Sequence, residues 1–281
     1  MPLIPITSTT DPRLADYLDI REQHLRAGSL ASREGAETTF IAEGEVVVRQ
    51  LIKSSFQTRS VLLTESRLAT VRDALDALPP TTPRYVIDQA LMNSVVGFNI
   101  HRGLLAVGIR RRLPTLDELL AGSHTLVVLE DLANHDNLGA MFRNAAALGG
   151  AGCSVLLSPR CADPLYRKAL RVSVGLVLMV PFTRSTDFPG DLARIRAAGF
   201  QILALTPAAG AIDIGYGEEG VPSSPTGKRA ILIGAEGPGL TEAARRSADL
   251  SVRIPIAPGV DSINAALAGG IALHRLTPPP D

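Results

Sequence analysis

Short continuous apolar runs alternate along this chain with longer stretches whose apolar residues recur at helical spacing. LADYLDIREQHLRAGSL (14–30) has the spacing of an amphipathic helix. TTFIAEG (38–44) reads as a strand and EVVVRQLIKSS (45–55) as the helix after it. SVLLTE (60–65) and SRLATVRDALDAL (66–78) repeat that order, with Ser66 placed to cap the helix. PRYVID, QALMNSVVGFN and GLLAVGIRR continue as strand, helix and strand. This alternating unit closes near Arg112, and RLPTLDELLAG forms a connector with a short helix.

A second unit opens with the strand HTLVVLE (124–130). The strands CSVLLSP, LVLMVPF, FQILALTP, AILIGA and LSVRIPIA follow it, separated by helical patterns. Continuous apolar strands alternating with helices predict a mostly parallel sheet covered on both faces. The predicted fold class is therefore α/β, with an N-terminal α/β domain over 1–112, a linker over 113–123 and a second domain over 124–281. AAGAIDIGYGEEGVPSSPTG (208–227) is the one long irregular stretch, and such loops are usually functional or mobile. No internal repeat, heptad array or low-complexity tract interrupts the pattern.

Composition narrows the possibilities. The chain has 281 residues, 46% hydrophobic and 20% charged, enough to build a core of Leu, Val, Ile and Ala with 4% aromatics and no Trp. Its 28 basic and 28 acidic residues exclude a globally basic nucleic-acid coat, though not a local patch such as RRR at 110–112. Cys153 and Cys161 are too few for a disulfide scaffold and read as buried thiols of a reducing compartment. The start MPLIPITSTTDPRL lacks the features of a signal peptide, and no run has the length of a membrane span. The expectation is a cytoplasmic protein without membrane contact. The histidines at 24, 101, 124, 135 and 274 lack metal-ligand spacing, so no metal is expected.

Three stretches hold candidate chemistry. In NHDNLGAMFRNAAALGG (134–150), Leu138, Met141, Phe142, Ala145 and Leu148 form one apolar stripe and Arg143 lies nearly opposite it. Gly139, four residues before Arg143, shares its side and leaves room beside it, or lets a backbone or ligand approach closely. Asn137 sits at the helix start, where orphan amides can bind an anion. The ordinary alternative is a capped helix with a solvated arginine. In AILIGAEGPGL (230–240), a buried strand runs into Gly234, Gly237 and Gly239 around Glu236, a turn of the kind that holds ligands at strand ends. It lacks the Rossmann order, and PTGKR lacks the P-loop order, so a tight turn with a solvated Glu is about as good a reading. In RIPIAPGVDSINAALAGGIALHRL (253–276), Asp261 or Ser262 could cap a helix. Gly269 and Gly270 inside that helix each cost roughly 1 kcal/mol against Ala, which points to close packing on another backbone.

Together these stretches resemble the three motifs of the SpoU (TrmH-type) branch of the SPOUT RNA methyltransferases. The first is Asn137, Gly139, Arg143 and Gly149; the second Ile233, Gly234, Glu236 and Gly239; the third Ile254, Pro255, Ile256, Ser262, Ile263 and Asn264. Order and spacing agree across all three. DPLYRKALRVSVGLVLMVPF is similar to the family's segment between motifs one and two, and FIAEGEVVVRQLI to the ribosomal-protein-like RNA-binding domain of many members. Asn134 and His135 stand where motif one usually has Asp-Pro, and Ile263 where motif three usually has Leu.

The resemblance implies a trefoil knot in the C-terminal domain. It implies S-adenosyl-L-methionine bound mainly by backbone around Gly234, Ile254 and Ile263, with Thr206 nearby. It also implies a homodimer whose active site draws on both subunits, acting on a ribose 2′-hydroxyl of rRNA or tRNA. In that setting Arg143, an arginine that stays protonated, binds the adjacent phosphate and stabilises developing charge on the 2′-oxygen. Asn137, Glu236, Ser262 and Asn264 position it and the nucleotide. The competing readings are a non-catalytic RNA-binding protein that keeps this fold and, more distantly, a nucleotide-dependent oxidoreductase.

Overall fold

The computed structural model describes residues 3–18, 20, 38–100, 102–214, 220–221 and 226–277. The helix expected over 14–30 lies mostly outside these residues, as do His24, His101, the end of the chain and much of the loop 208–227. Packing divides the chain into two compact units: Met1–Arg112 with Leu165–Met179, and Leu113–Pro164 with Val180–Asp281.

In the first unit, β1 (Ile4–Pro5), β2 (Thr39–Glu43), β3 (Thr58–Thr64), β4 (Arg84–Ile87) and β5 (Leu104–Ile109) form a mixed sheet in the order β1-β4-β3-β5-β2. β1, β4 and β3 run parallel, while β5 is antiparallel to β3 and β2. Helices α1 (Glu45–Lys53), α2 (Leu68–Asp76) and α3 (Gln89–Val96) follow β2, β3 and β4. Ser66 falls inside a 3-10 turn, Glu65–Arg67, rather than capping α2. One core gathers Leu14, Tyr17, Ile41, Leu62, Met92, Val95 and Leu105.

Arg84 is a buried cation in this unit, 2% exposed, and its guanidinium donates to the carbonyls of Leu75, Leu78 and Thr82. It closes the C-terminal end of α2, where unpaired carbonyls and the negative end of the helix dipole favour a cation.

The second unit is a parallel sheet in the order β10-β12-β9-β11-β6-β7-β8. Its strands are β6 (Thr125–Leu129), β7 (Cys153–Leu157), β8 (Phe182–Arg184), β9 (Gln201–Leu205), β10 (Ile212–Asp213), β11 (Arg229–Ile233) and β12 (Leu250–Arg253). The helices are α4 (Leu116–Ala121), α5 (His135–Leu148), α7 (Asp191–Ala197), α8 (Glu242–Arg246) and α9 (Ala265–Leu276), while α6 (Arg167–Val172) packs with the first unit. Alternate positions of the central strands point to opposite faces. Leu126, Val128, Leu156, Ile202, Ala204, Ala230 and Leu232 share one core with Leu192, Ile195 and Phe200. Buried strands on both faces explain the unbroken apolar runs in the sequence.

The expected strand LVLMVPF is corrected: Leu176–Leu178 form a 3-10 turn and the strand begins only at Phe182. Its entry, Gly175, has φ of +81°, and a Cβ there would meet Gln50 Cβ at 2.7 Å. Within the run Val177, Leu178, Val180 and Phe182 are buried while Met179 is exposed. The close packing expected at Gly269 and Gly270 is found: α9 lies against α5. A Cβ at Gly269 would overlap the end of the Met141 side chain, and one at Gly270 would lie 2.9 Å from Asn144 Nδ2, so side chains of α5 occupy the space the glycines leave. Burial pushes the Cys153 thiol up to about 12 and raises Cys161 as well, so neither is a ready nucleophile.

Replacing Arg84 with Met removes three donors from buried carbonyls. The expected cost is about 1–3 kcal/mol, seen as a lower urea midpoint with an unchanged slope.

Candidate functional site

In the second unit, β6 runs on to β7 and β8 on one side, while β11, β9, β12 and β10 lie on the other. Crevices at the carboxyl ends of strands, where the order reverses, are where open α/β sheets bind ligands. The ends of β9 and β11 and the turn after β12 meet the start of α9 there. They enclose a cleft of about 390 Å³, within the size range of small-molecule sites. Thr206, Gly234, Ile254 and Ile263 line it together with Glu236, Ser262 and Asn264.

Each wall has a local cause. Gly234 directly follows β11, and a Cβ at that position would overlap the backbone of Gly239 and Leu240. Only glycine lets the loop fold back on its own strand, where Gly239 N donates to Ala235 O at 2.9 Å. The loop exits into α8 through Thr241, whose hydroxyl caps Ala244 N at 3.2 Å. Glu130, 3% exposed at the end of β6, accepts from Thr241 N at 2.8 Å and from its hydroxyl at 2.7 Å. This buried carboxylate anchors the glycine loop to the central strand. Sequence reading did not single it out, although an acid closing an apolar strand was its visible signal.

The polar edge of the cleft draws on three distant segments. Asn137 Nδ2 donates to Glu236 Oε1 in a short hydrogen bond. Asn264 Nδ2 donates to Asn137 Oδ1 at 2.8 Å and lies 3.5 Å from Glu236 Oε1. Asn137 is 6% exposed, so its amide is committed to these partners and holds them in place. Asn264 has a second duty: its Oδ1 accepts from Leu267 N at 3.0 Å and caps α9. That corrects the expectation that Asp261 or Ser262 caps this helix. Ser262 is exposed on the cleft wall.

Asn134 caps α5, accepting from Asp136 N at 2.8 Å. Asn and Asp are equivalent at that position, so the replacement of the usual Asp-Pro by Asn134–His135 keeps the helix start. Along α5, Leu138, Met141, Phe142 and Ala145 are buried, Leu148 is half-buried and Arg143 is exposed, as the apolar stripe predicts. Gly139 is buried, however, and so does not open a solvent-facing space beside the arginine. Arg143 is outside the cleft lining and makes no hydrogen bond or ion pair with the described residues. The structure thus brings Glu236, Ser262 and Asn264 to the cleft wall, with Asn137, outside that lining, bonded to Glu236 and Asn264, and leaves Arg143 facing outward. Among the described residues there is no group of three or more His, Cys, Asp or Glu arranged for a metal ion, and no helix is long and apolar enough to cross a membrane.

Comparison with known proteins agrees with this geometry. The profile of the SpoU rRNA Methylase family matches residues 124–274. A tRNA/rRNA methyltransferase of Mycobacterium tuberculosis, itself uncharacterised, is 39% identical over 267 residues, covering 95% of this chain and 89% of the relative. Among solved structures, an AdoMet-bound rRNA methyltransferase from Sinorhizobium meliloti has a TM-score of 0.75 at 23% identity, covering 98% of this chain and 97% of that one. The SpoU methyltransferase AviRb from Streptomyces viridochromogenes, in complex with AdoMet, has a TM-score of 0.72 at 23% identity, covering 95% and 97%. The structural likenesses show a shared SPOUT methyltransferase fold, and the profile match with the 39% relative shows more: the chain belongs to the SpoU rRNA methylase family.

Proposed function

We propose that this chain transfers a methyl group from S-adenosyl-L-methionine to a ribose 2′-hydroxyl of rRNA or tRNA. The observation that carries this reading is that two of the three segments line one cleft and the third is tied to them through Asn137, which bonds Glu236 and Asn264. The methyl donor's fit rests on the composition of the walls. Leu205, Ile233, Ile254, Ile256, Ile263 and Ala268 offer apolar surface, and Thr206, Glu236 and Ser262 offer polar groups. Gly234, Ile254, Ile263 and Thr206 would hold it; when bound, it supplies a methyl group activated by a sulfonium. No metal takes part in this reading.

The chain's own residues do the rest. Methyl transfer to oxygen is an in-line displacement that depends on holding the hydroxyl in place. Asn137 and Asn264 fix Glu236 at the cleft edge, and Ser262 offers a hydroxyl beside it. Arg143 binds the phosphate next to the target ribose and stabilises negative charge growing on the 2′-oxygen as the hydroxyl proton passes to solvent. Its outward position suits a homodimer in which it serves the cleft of the partner subunit. The trefoil knot and a cytoplasmic setting are parts of the same reading.

Titration calorimetry with S-adenosyl-L-methionine and a methyl-transfer assay on bulk rRNA and tRNA test this. Binding with transfer is the expected result; RNA binding without affinity for the methyl donor is the result of a non-catalytic protein. Arg143→Ala should lower kcat about 10²–10³-fold, the usual loss for one charge-stabilising donor, while the Kd for S-adenosyl-L-methionine stays within about twofold. Asn264→Asp keeps an acceptor to cap α9 but removes the donor to Asn137 and adds a carboxylate beside Glu236. Leaving the buried Asn137 Oδ1 without its donor should cost about 1–3 kcal/mol of stability, and activity at neutral pH should fall at least about tenfold. Asn264→Ala loses the cap as well and should cost about 0.5–2 kcal/mol more.

A further inference from the structure

Just past β6 stand two consecutive acids that reach to opposite neighbours of that strand. Glu130 turns to Thr241 in the loop after β11, and its backbone N–H donates to Ile233 O at 2.9 Å. Asp131 turns to the loop after β7, the strand on the other side of β6. It has φ of +56°, in the left-handed region that Asp and Asn enter more readily than other residues bearing a side chain. Beyond that bend the chain leaves the sheet. Asn134 caps α5, which opens at His135 and carries Asn137 in its first turn. A residue held in so sparsely populated a conformation persists where its surroundings over-determine it.

At Asp131 one hydroxyl clamps both backbone and side chain. The buried Ser158 Oγ accepts from Asp131 N at 2.8 Å and donates to Asp131 Oδ1 at 2.8 Å. Arg160 Nε donates to Oδ2 at 3.0 Å, and its Nη2 makes a shorter bond to the same oxygen. Arg160 is 78% exposed, so water screens its ion pair and Ser158 is the stronger hold. The clamp stands on a fixed base. The Arg184 guanidinium donates to the carbonyls of Ser158, Pro159, Cys161 and Ala162. The same loop is stitched to the end of β6, where Ser158 N donates to Leu129 O at 2.9 Å and Ala162 N to Leu132 O at 3.0 Å. Neither Asp131 nor Ser158 lines the cleft. Their link to it runs along the start of α5 to Asn137, whose amide bonds Glu236 and Asn264.

We propose that Asp131 is a positioning residue for methyl transfer: through its clamp to Ser158 and Arg160 it fixes the entry of α5, and with it the placement of Asn137 against Glu236 and Asn264. This rests on the reading of the chain as a methyltransferase. Leu132, Ala133 and Asn134 alone separate Asp131 from the helix, so a rotation at Asp131 displaces the helix start as a whole. An in-line displacement tolerates little such movement, since a shift of about 1 Å in the groups that place the reactants can cost about 10²-fold in rate. Adjacent acids thereby set two sides of the site. Glu130 holds the exit of the glycine loop, and Asp131 holds the helix that bonds that loop's Glu236.

Two variants separate the backbone from the clamp. Asp131→Gly permits the left-handed backbone and removes the carboxylate. It should lower kcat about 10- to 100-fold, with the KM for RNA and the calorimetric Kd for S-adenosyl-L-methionine within about threefold of the wild type. Asp131→Asn keeps an Oδ1 acceptor for Ser158 and a tolerance for the left-handed region, and should restore kcat to within about threefold. Hydrogen exchange of the full chain reads the same point without activity. Asp131→Gly should speed exchange at 138–142 at least about tenfold, and also within 235–241 and 265–269, the segments tied through Asn137. Faster exchange confined to 129–133 and 158–162, or a lowered urea midpoint with wild-type kcat per donor-binding site, overturns the proposal in favour of a local structural role. A wild-type chain that transfers no methyl group overturns the enzyme reading, and the spread of exchange then decides by itself whether Asp131 positions Asn137.

Discussion

The hydrogen-bonded contact of Asn137 with Glu236 and Asn264 is the constraint on which the site depends. It ties the start of α5, the loop after β11 and the start of α9. Those segments are remote in sequence and meet only because the parallel sheet places β11 beside β6. A buried amide with both its donor and its acceptor engaged cannot shift without leaving a polar group unpaired, a cost of about 1–3 kcal/mol. The cleft wall is therefore defined by polar pairing as well as by apolar packing. Two further devices support it. Gly234 permits the loop to fold over its strand, and Glu130 pins the exit of that loop at Thr241.

Much of this was legible in the sequence because the strands are buried on both faces. Runs such as TLVVL and AILI have few structures open to them other than the centre of a parallel sheet. The helix α5 was legible for a related reason: its apolar stripe fixes which face points outward, and Arg143 is on the exposed side. The three motif stretches were each weak alone. Their value came from being found together in order, and the cleft shows the physical content of that order.

What the sequence concealed depends on tertiary contact. LVLMVPF has the composition of a strand, but Gly175 must close against Gln50 and Val47 of α1, and the run starts as a 3-10 turn. Gly269 and Gly270 signalled tight packing, yet only the structure shows that the side chains of Met141 and Asn144 fill the space. The caps at Ser66 and at Asp261 or Ser262 were misplaced because several polar residues stood near each helix start, and local sequence does not choose among them. Glu130 was overlooked because its partner, Thr241, is on a different strand connection. The packing of Leu165–Met179 with the first unit was likewise invisible to periodicity.

In this account the cleft of the second unit receives the methyl donor and the reacting ribose. Its central claim concerns the atom that receives the methyl group. The most direct measurement is to incubate the chain with bulk rRNA and tRNA and labelled S-adenosyl-L-methionine, digest the RNA to nucleosides and identify the labelled product. The account predicts label on 2′-O-methylated nucleosides, whose neighbouring phosphodiester resists alkaline hydrolysis. Label on base-methylated nucleosides, or RNA that stays unlabelled, would contradict it.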